Sequence, residues 1–355
     1  MTGRPCRLRS GAPGWPTVVA ALLLMLASAS PAMAACTVSQ TVTTNVGPYS
    51  PAAAKAGAVP ALQSRGGLTC PSAAVTPLAG NYMRATLQSD NKFKLIQKGG
   101  TNGIAYVASA DAAGTYPFTQ GSTIDYMQNN LPGTLGLLGG SSADLPFFVK
   151  PTGGASIPAG SYTDRITINW SWYLCPGIGA LGACIGTPDS GSGTSVITVT
   201  LLIAPQAVVM TISSVSTWDP VNAQANPRTI PGGKLRSTIA VSNPDIVPLD
   251  AATLSLVVPT PPGLVPALDG DGASTGSAIQ LTDGTPASGL TFRYGGPADA
   301  TDDVDFSADG GATWGYAPVA GDAASQRAIT HVRIRPEGAM AKQSGFTVSV
   351  PYMVR

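Results

Sequence analysis

The chain has 355 residues, with 20 Lys and Arg against 19 Asp and Glu and only 11% charged residues overall. This length allows two ordinary domains, each with its own core. Because the positive and negative charges nearly cancel, the chain has no excess of basic residues that could bind nucleic acid. We therefore exclude a nucleic-acid partner.

Residues 1–34 have the features of a secretory signal peptide. Three arginines in the first nine residues precede the apolar stretch 18–29, and Ala32-Met33-Ala34 forms an A-x-A cleavage site. The stretch is too short to span a membrane comfortably. We therefore predict export with cleavage after Ala34. A lipoprotein is the less favoured alternative, because the sequence before Cys36 resembles a lipobox only loosely.

The cysteines predict disulfides in the first half of the exported chain. Cys6 leaves with the signal peptide, and an even number remains: Cys36, Cys70, Cys175 and Cys184. In an exported protein this usage favours disulfide bonds. Four cysteines allow three pairings, of which we favour Cys36–Cys70 and Cys175–Cys184. The second half has no cysteine and must be stable through packing alone.

Short alternating segments, punctuated by 42 glycines and 31 prolines, indicate strands rather than helices. The clearest of these segments are residues 82–88, 104–109, 164–174, 195–203, 236–243, 252–258, 330–335 and 346–354. We predict an all-β protein of two β-sandwich domains, 35–204 and 205–355, with the boundary at Ala204-Pro205-Gln206.

Few residues are available for catalysis. His331 and Glu337 are the only His and Glu in the chain, so an enzyme would depend almost entirely on Asp. Residues 307–314 match the Asp-box pattern S-x-D-x-G-x-T-W, which sialidases repeat, but it occurs once here. We interpret it as a hairpin turn in which Asp309 accepts backbone N–H bonds. We expect no catalytic residue.

Two acidic segments are candidates for binding Ca²⁺ through carboxylate and carbonyl oxygens. They are residues 268–274 and 298–310, and their spacing does not fit an EF-hand loop. We favour solvated acidic turns, and we expect no metal and no cofactor.

Five segments of the first half have a recognisable order. They are ACTVSQ after the signal, GLTCPS around Cys70, YMRATLQ at 82–88, KGGTNGIAYVASADAAGT at 98–115, and PAGSYTDRITINW at 158–170. With these segments the first half resembles the spore coat protein U and Csu-type fimbrial family, the subunits of archaic chaperone–usher pili. The resemblance spans about 36–204 and departs from the family at residues 45–51 and at an extra disulfide loop, 175–184.

The resemblance implies assembly by donor-strand complementation. Each subunit would be a sandwich short of one strand, which a periplasmic chaperone and then a neighbouring pilin subunit supply at an outer-membrane usher. With cleavage after Ala34, no donor segment precedes Cys36. We therefore expect a tip-like subunit that receives a strand at residues 36–204 and has none to donate.

The second half contains, in order, TWDPVNAQANPRTIPGG at 217–233, residues 235–266, LTDGTPASGLTFRY at 281–294, residues 302–318 and ITHVRIRPEGAM at 329–340. With these segments it resembles an Ig-like conserved repeat domain of bacterial surface proteins. The family implies an extracellular spacer or display module without activity. The predicted fold is therefore a pilin-like Ig sandwich followed by an Ig-like module.

Together these features predict a secreted structural or adhesive pilus subunit that passes through the periplasm to the cell surface. Leu137, Leu138, Ile178 and Leu181, in apolar Gly-rich loops, are candidates for contacting an abiotic or host surface in adhesion and biofilm formation. The first alternative is a self-complete secreted β-sandwich that binds carbohydrate or matrix. An Asp-based glycoside hydrolase is a distant third.

Overall fold

A computed structural model describes residues 36–70, 80–131, 134, 143–154, 156–175, 178–180, 183–276 and 278–355. The structure is 48% strand and 3% helix, which confirms the all-β prediction. Within these residues no helix has the length and apolar character needed to cross a membrane. The predicted signal peptide lies outside the described residues.

We call residues 36–203 the first unit. Its elements in chain order are β1 Thr37–Val38, β2 Thr41–Tyr49, α1 Pro51–Lys55, β3 Leu62–Cys70, β4 Tyr82–Ser89, β5 Lys94–Gln97, β6 Gly103–Ser109, β7 Thr123–Asp125, β8 Ala143–Pro151, β9 Gly160–Leu174, β10 Ile178–Ala180, β11 Ala183–Ile185 and β12 Asp189–Ile203.

The strands of the first unit form one hydrogen-bonded path that folds over a single core. Its order is β1-β3-β8-β6-β5-β9-β12-β2, with β4 also on β9 and β7 on β4. From Tyr162 to Leu174, every second residue of β9 is buried, as the two-residue period of a strand requires. Trp170 of β9 crosses the core, and its Nε1 donates to the Gly66 carbonyl of β3 at 2.9 Å. This bond joins the two layers at the centre of the unit.

Residues 208–355 form the second unit. Its elements are β13 Val209–Trp218, β14 Lys234–Asn243, β15 Leu256–Pro259, β16 Leu264–Pro266, β17 Gln280–Asp283, β18 Val304–Ser307, α2 Ala323–Arg327, β19 His331–Ile334 and β20 Ser344–Val354.

Two separate sheets build the second unit. One has the order β13-β14-β20, and both β16 and β17 pair with the far edge of β20, so this sheet is four strands wide. The other has the order β15-β19-β18 and is three strands wide. Their shared core includes Ile239, Val332, Phe346 and Val350. The cores of the two units have no residue in common.

A long turn joins β13 to β14 and is organised by one buried carboxylate. Asp219 accepts hydrogen bonds from the backbone N–H groups of Val221 at 2.7 Å, Asn222 at 2.6 Å and Arg228 at 2.6 Å. These bonds favour the ionised carboxylate and lower the pKa of Asp219 to about 2.

Candidate strand-acceptor site

Strand β12 in the first unit has hydrogen-bonded neighbours on both edges. It pairs antiparallel with β9 from Asp189↔Leu174 to Ile203↔Gly160. On its other edge, from Val196 onward, it pairs parallel with β2. Its inward side chains at 197, 199, 201 and 203 are buried in the core. Over 196–203, β12 is therefore an internal strand.

This arrangement corrects the expectation that the sandwich at residues 36–204 awaits a strand from another polypeptide. The position between β2 and β9 is already occupied by β12 of the same chain. The physical reason is that β2 pairs directly with β12 from Val196 onward, so that no free edge is left between these two strands for an added strand.

The outer edge of β2 is a poor place for strand addition. No strand in the described parts of the chain pairs with that edge. Its exposed positions are mostly polar, such as Thr41, Thr43 and Asn45, and Pro48 removes a backbone donor. Proline and a polar face are common means by which proteins block edge-to-edge pairing.

An apolar, open edge occurs instead in the second unit, at β13. This strand pairs with β14 and, among the described residues, with no other strand. The register Met210↔Val241 and Ile212↔Ile239 places Met210 and Ile212 on the core-facing side of the sheet. Their partners on β14 are buried, yet Met210 is 58% exposed and Ile212 69% exposed.

The exposure of Met210 and Ile212 follows from the unequal widths of the two sheets. The facing sheet ends at β15, whose outer edge has no partner in the described part of the chain. Leu256 and Val258 of β15 face inward, paired with buried Ile334 and Val332 of β19. Among the described residues, no fourth strand lies beside β15 to cover the inner face of β13.

The result is an apolar groove between β13 and β15. It consists of a cavity of about 440 Å³ lined by Met210, Ile212 and Leu256, and an adjoining cavity of about 250 Å³. Both cavities include Ile212 and Val258 in their walls, so they form one continuous groove.

The groove carries no charge. None of the residues lining either cavity is charged, and residues 204–217 and 251–268 contain no Asp, Glu, Lys or Arg. Tyr352 lines the smaller cavity and is fully buried, and its hydroxyl has no hydrogen-bond partner in the part of the chain that the structure describes. Burial raises the pKa of Tyr352 to about 12. The groove thus combines apolar walls with free backbone edges and one unpaired donor.

The Asp box of the second unit is a structural turn, as predicted. Asp309 accepts from the Thr313 backbone N–H at 2.9 Å, from Ser307 Oγ at 2.7 Å and from Thr313 Oγ1 at 2.7 Å. These bonds, the first of them foremost, hold the pKa of Asp309 well below its usual range. The carboxylate makes its hydrogen bonds within the turn, and it remains ionised at neutral pH.

Carboxylates of the acidic segments also form ion pairs with nearby basic side chains. Asp269 pairs with Lys234 at 2.9 Å and Asp271 with Arg236 at 2.7 Å. No group of three His, Cys, Asp or Glu side chains in the described residues is placed to hold a metal ion. These ion pairs therefore indicate that the carboxylates stabilise the turns in which they lie.

The four predicted disulfide cysteines pair as favoured, Cys36 with Cys70 and Cys175 with Cys184. Of the surface-binding candidates, Leu137, Leu138 and Leu181 lie outside the described residues. Ile178 lies on β10, whose register with β11 pairs it with Ile185. The role of these four residues in adhesion stays a prediction.

Sequence reasoning missed the groove because it missed β13. The signal was present: Met210 and Ile212 alternate with the small polar residues Thr211 and Ser213, as in a half-buried strand. The exposed inner face could not be read from this pattern, because an alternating strand is normally covered on one side.

Comparison with protein families identifies the first unit. The model of the Spore Coat Protein U domain matches residues 22–169. The first half of the chain therefore carries a Spore Coat Protein U domain, which confirms the resemblance seen there. The match ends within β9, so β12 lies outside it. No curated protein matches the chain.

Three solved structures are similar over most of this chain. The CsuC–CsuE chaperone–tip adhesion subunit complex from archaic chaperone–usher Csu pili of Acinetobacter baumannii is 12% identical, covering 89% of this chain and 94% of that one, with a TM-score of 0.39. The C-terminal domain of the Streptococcus agalactiae polypeptide BspA is 7% identical, covers 90% of each chain and has a TM-score of 0.22. A three-domain backbone pilin of Streptococcus pyogenes is 10% identical, covering 81% of this chain and 54% of that one, with a TM-score of 0.23.

Proposed function

We propose that this protein is a secreted structural and adhesive subunit of an archaic chaperone–usher pilus, tip-like in position and assembled by donor-strand complementation. The observation that carries the proposal is the Spore Coat Protein U domain over residues 22–169. Its partners would be a periplasmic pilus chaperone, an outer-membrane usher and neighbouring pilin subunits. The protein would be periplasmic in transit and then displayed on the cell surface.

The exposed apolar groove in the described chain supports the proposal that a partner completes the fold. An apolar groove flanked by unpaired backbone edges tends to aggregate in water, and a chaperone that fills it during export removes that hazard. The two disulfides in the first unit fit an oxidising compartment such as the periplasm.

The tip-like position rests on how residues 36–49 are used. Cys36 is tied to Cys70, β1 pairs with β3, and β2 pairs with β12. Given the predicted cleavage after Ala34, this segment is not free to complete a neighbouring subunit. Leu137, Leu138, Ile178 and Leu181 remain our candidates for contacting an abiotic or host surface.

The test is co-expression of the full precursor with the archaic pilus chaperone of the source organism. We expect a stoichiometric chaperone–subunit complex from the periplasm, with the mature chain beginning at Ala35. A mature protein that is soluble and monomeric alone, and that leaves the chaperone unbound, would overturn the proposal.

The observation that the first unit is already closed favours one alternative, a β-sandwich that binds carbohydrate or matrix without joining a fibre. A polar cavity of about 470 Å³ in this unit is lined by Tyr82, Arg84 and Asp125. Tyr82 stacks on Tyr173 at 6.1 Å, and Arg84 lies 4.2 Å from the Tyr82 ring centroid. An aromatic face beside hydrogen-bonding groups is suited to a sugar ring, and glycan-array binding by the monomeric protein would favour this alternative.

A further inference from the structure

We propose that the polar cavity at the start of β4 in the first unit binds the carboxylate of an acidic sugar, and that the Arg84 guanidinium is the group that holds this carboxylate. The cavity has a volume of about 470 Å³, and its lining includes Tyr82, Arg84, Asp125, Gln128 and Asn130. The inference rests on the adhesive role in the proposed function and deepens it, because it names the class of ligand and the residue that selects it.

Arg84 is held in one orientation by two contacts. Its Nε donates to Asp125 Oδ2 at 3.2 Å, and its Cζ lies 4.2 Å from the centroid of the Tyr82 ring. The Tyr82 ring is itself stacked on Tyr173 of β9, with the ring centroids 6.1 Å apart. Because these contacts fix the plane of the guanidinium in advance, little conformational freedom is lost when a ligand binds to it.

The outer edge of this guanidinium is unused. The bond to Asp125 involves Nε alone, and Nη1 and Nη2 donate to no acceptor among the described residues. The Arg84 side chain is 49% exposed. The Nη1 and Nη2 groups form a planar fork that matches the two oxygens of a carboxylate. The free fork therefore favours an anionic ligand with two coplanar oxygens.

Asp125 leaves part of the positive charge of Arg84 available. The carboxylate is 9% exposed, and its Oδ1 accepts from the backbone N–H groups of Met83 at 3.3 Å, Met127 at 3.1 Å and Gln128 at 3.3 Å. These N–H groups already stabilise the negative charge of Asp125, so Arg84 can attract a second anion. In the described part of the chain, no other charged side chain lines the cavity.

The remaining groups suit a hydroxylated ligand better than a peptide. The side-chain amides of Gln128 and Asn130 have no hydrogen-bond partner within the described residues, so they can donate to and accept from sugar hydroxyls. An extended peptide commonly binds through the backbone of a free strand edge. The cavity offers no such edge, because β4 pairs with β9 over Tyr82–Ser89 and with β7 over Arg84–Thr86.

The cavity lies at the end of the first unit that is away from its link to the second unit. Tyr82 pairs with Tyr173, which is next to the last residue of β9. Strand β12 runs back from this end, and the chain leaves the unit after Ile203, which pairs with the first residue of β9. A subunit displayed on the cell surface can therefore present the cavity to a glycan without involving the link.

Arg165 provides a matched control for Arg84. Both side chains are exposed on the outer face of the same sheet. Ser171 of β9 pairs with Arg84, so Arg165, six residues earlier on β9, lies roughly 20 Å from the cavity. Arg84→Gln and Arg165→Gln remove the same charge, but only Arg84→Gln removes the fork. Arg84→Lys keeps the charge and removes only the fork geometry.

The measurement is titration calorimetry of the mature full-length chain with trigalacturonate, and with its methyl ester, which has the same rings without the charges. We expect binding of trigalacturonate and none of the ester. Arg84→Gln and Arg84→Lys should each weaken binding roughly tenfold or more, as for the loss of a charged hydrogen bond. Arg165→Gln should stay within about twofold of wild type. Equal binding of the ester, or equal losses at positions 84 and 165, would overturn the inference. The comparison of the two ligands needs no variant, so it decides the question even if a variant fails to fold.

Two competitors test the class of ligand. If triglutamate binds as tightly as trigalacturonate, the site recognises an acidic peptide and the proposed ligand is wrong. If inorganic phosphate displaces trigalacturonate at equal concentration, the cavity is a simple anion site, which would also refute the sugar.

Chaperone recovery separates failure of the site from failure of the proposed function. Arg84 lies in the closed first unit, so we expect Arg84→Gln to recover as much pilus chaperone from the periplasm as wild type. A chaperone complex that binds no trigalacturonate would refute the acidic-sugar site and leave the pilus function standing. If wild type binds trigalacturonate and no chaperone, the site stands and the pilus function fails.

Discussion

Replacing Ile197 with Ala tests whether β12 completes the first unit in solution. Ile197 is fully buried and lies opposite Ile166 of β9 on one side and Val42 of β2 on the other. The change removes three carbon atoms, worth about 2.4 kcal/mol of transfer free energy, and leaves a cavity. We expect the free energy of unfolding of the first unit to fall by about 3–4 kcal/mol.

The assay is differential scanning calorimetry of the full chain, with Thr198→Ala as control on the opposite face of β12. At about 2–4 °C for each kcal/mol, Ile197→Ala should lower the Tm of the first unit by roughly 6–16 °C. The transition of the second unit should not move. Thr198→Ala should cost less than about 1 kcal/mol. If both variants shift the Tm equally little, β12 is not part of the core, and the first unit is open.

Two further predictions concern the disulfides and the turn at Asp219. Replacing Cys36 and Cys70 with Ser should lower stability by about 4 kcal/mol, and replacing Cys175 and Cys184 by about 2.5 kcal/mol, because loop-closure entropy grows with loop length and the sequence separations are 34 and 9. Urea unfolding of the two double variants checks this order, and a reversed order would contradict it. The pKa of Asp219 is lowered to about 2 by backbone N–H hydrogen bonds. Its stabilisation should therefore be complete above the unfolded value of about 4 and lost as the pH falls towards 2. Asp219→Asn should flatten this acid dependence of the second unit, and an unchanged pH profile would refute the role.

The two units differ in which edges of their sandwiches are paired and which are exposed. In the first, β12 lies between β2 and β9, and the remaining outer edge at β2 is polar and contains Pro48. In the second, the inner face of β13 stays exposed and the edge of β15 stays unpaired in the described chain. A fibre subunit with a binding domain first and a strand-accepting domain last would have this order of closed and open units.

The class of fold follows from the sequence alone, whereas the sequence only favoured one of three disulfide pairings, which the structure then confirmed. Alternation along 164–174 and 195–203 requires strands with one buried face, because successive side chains point to opposite sides. The Gly310-Gly311 bend after Asp309 was enough to predict a turn rather than a catalytic site, since its hydrogen bonds are local.

Which unit is closed and which is open depends on strand contacts that the sequence pattern does not specify. The alternation of 195–203 fits an internal strand and a groove wall equally well, and only pairing with both β2 and β9 shows that it fills its own sandwich. Met210 and Ile212 alternate with polar residues as core-facing side chains do, and their exposure depends on the absence of a fourth strand beside β15 in the described chain. Periodicity specifies the face of a strand on which a side chain lies, whereas the element that covers this face is set by contacts distant in sequence.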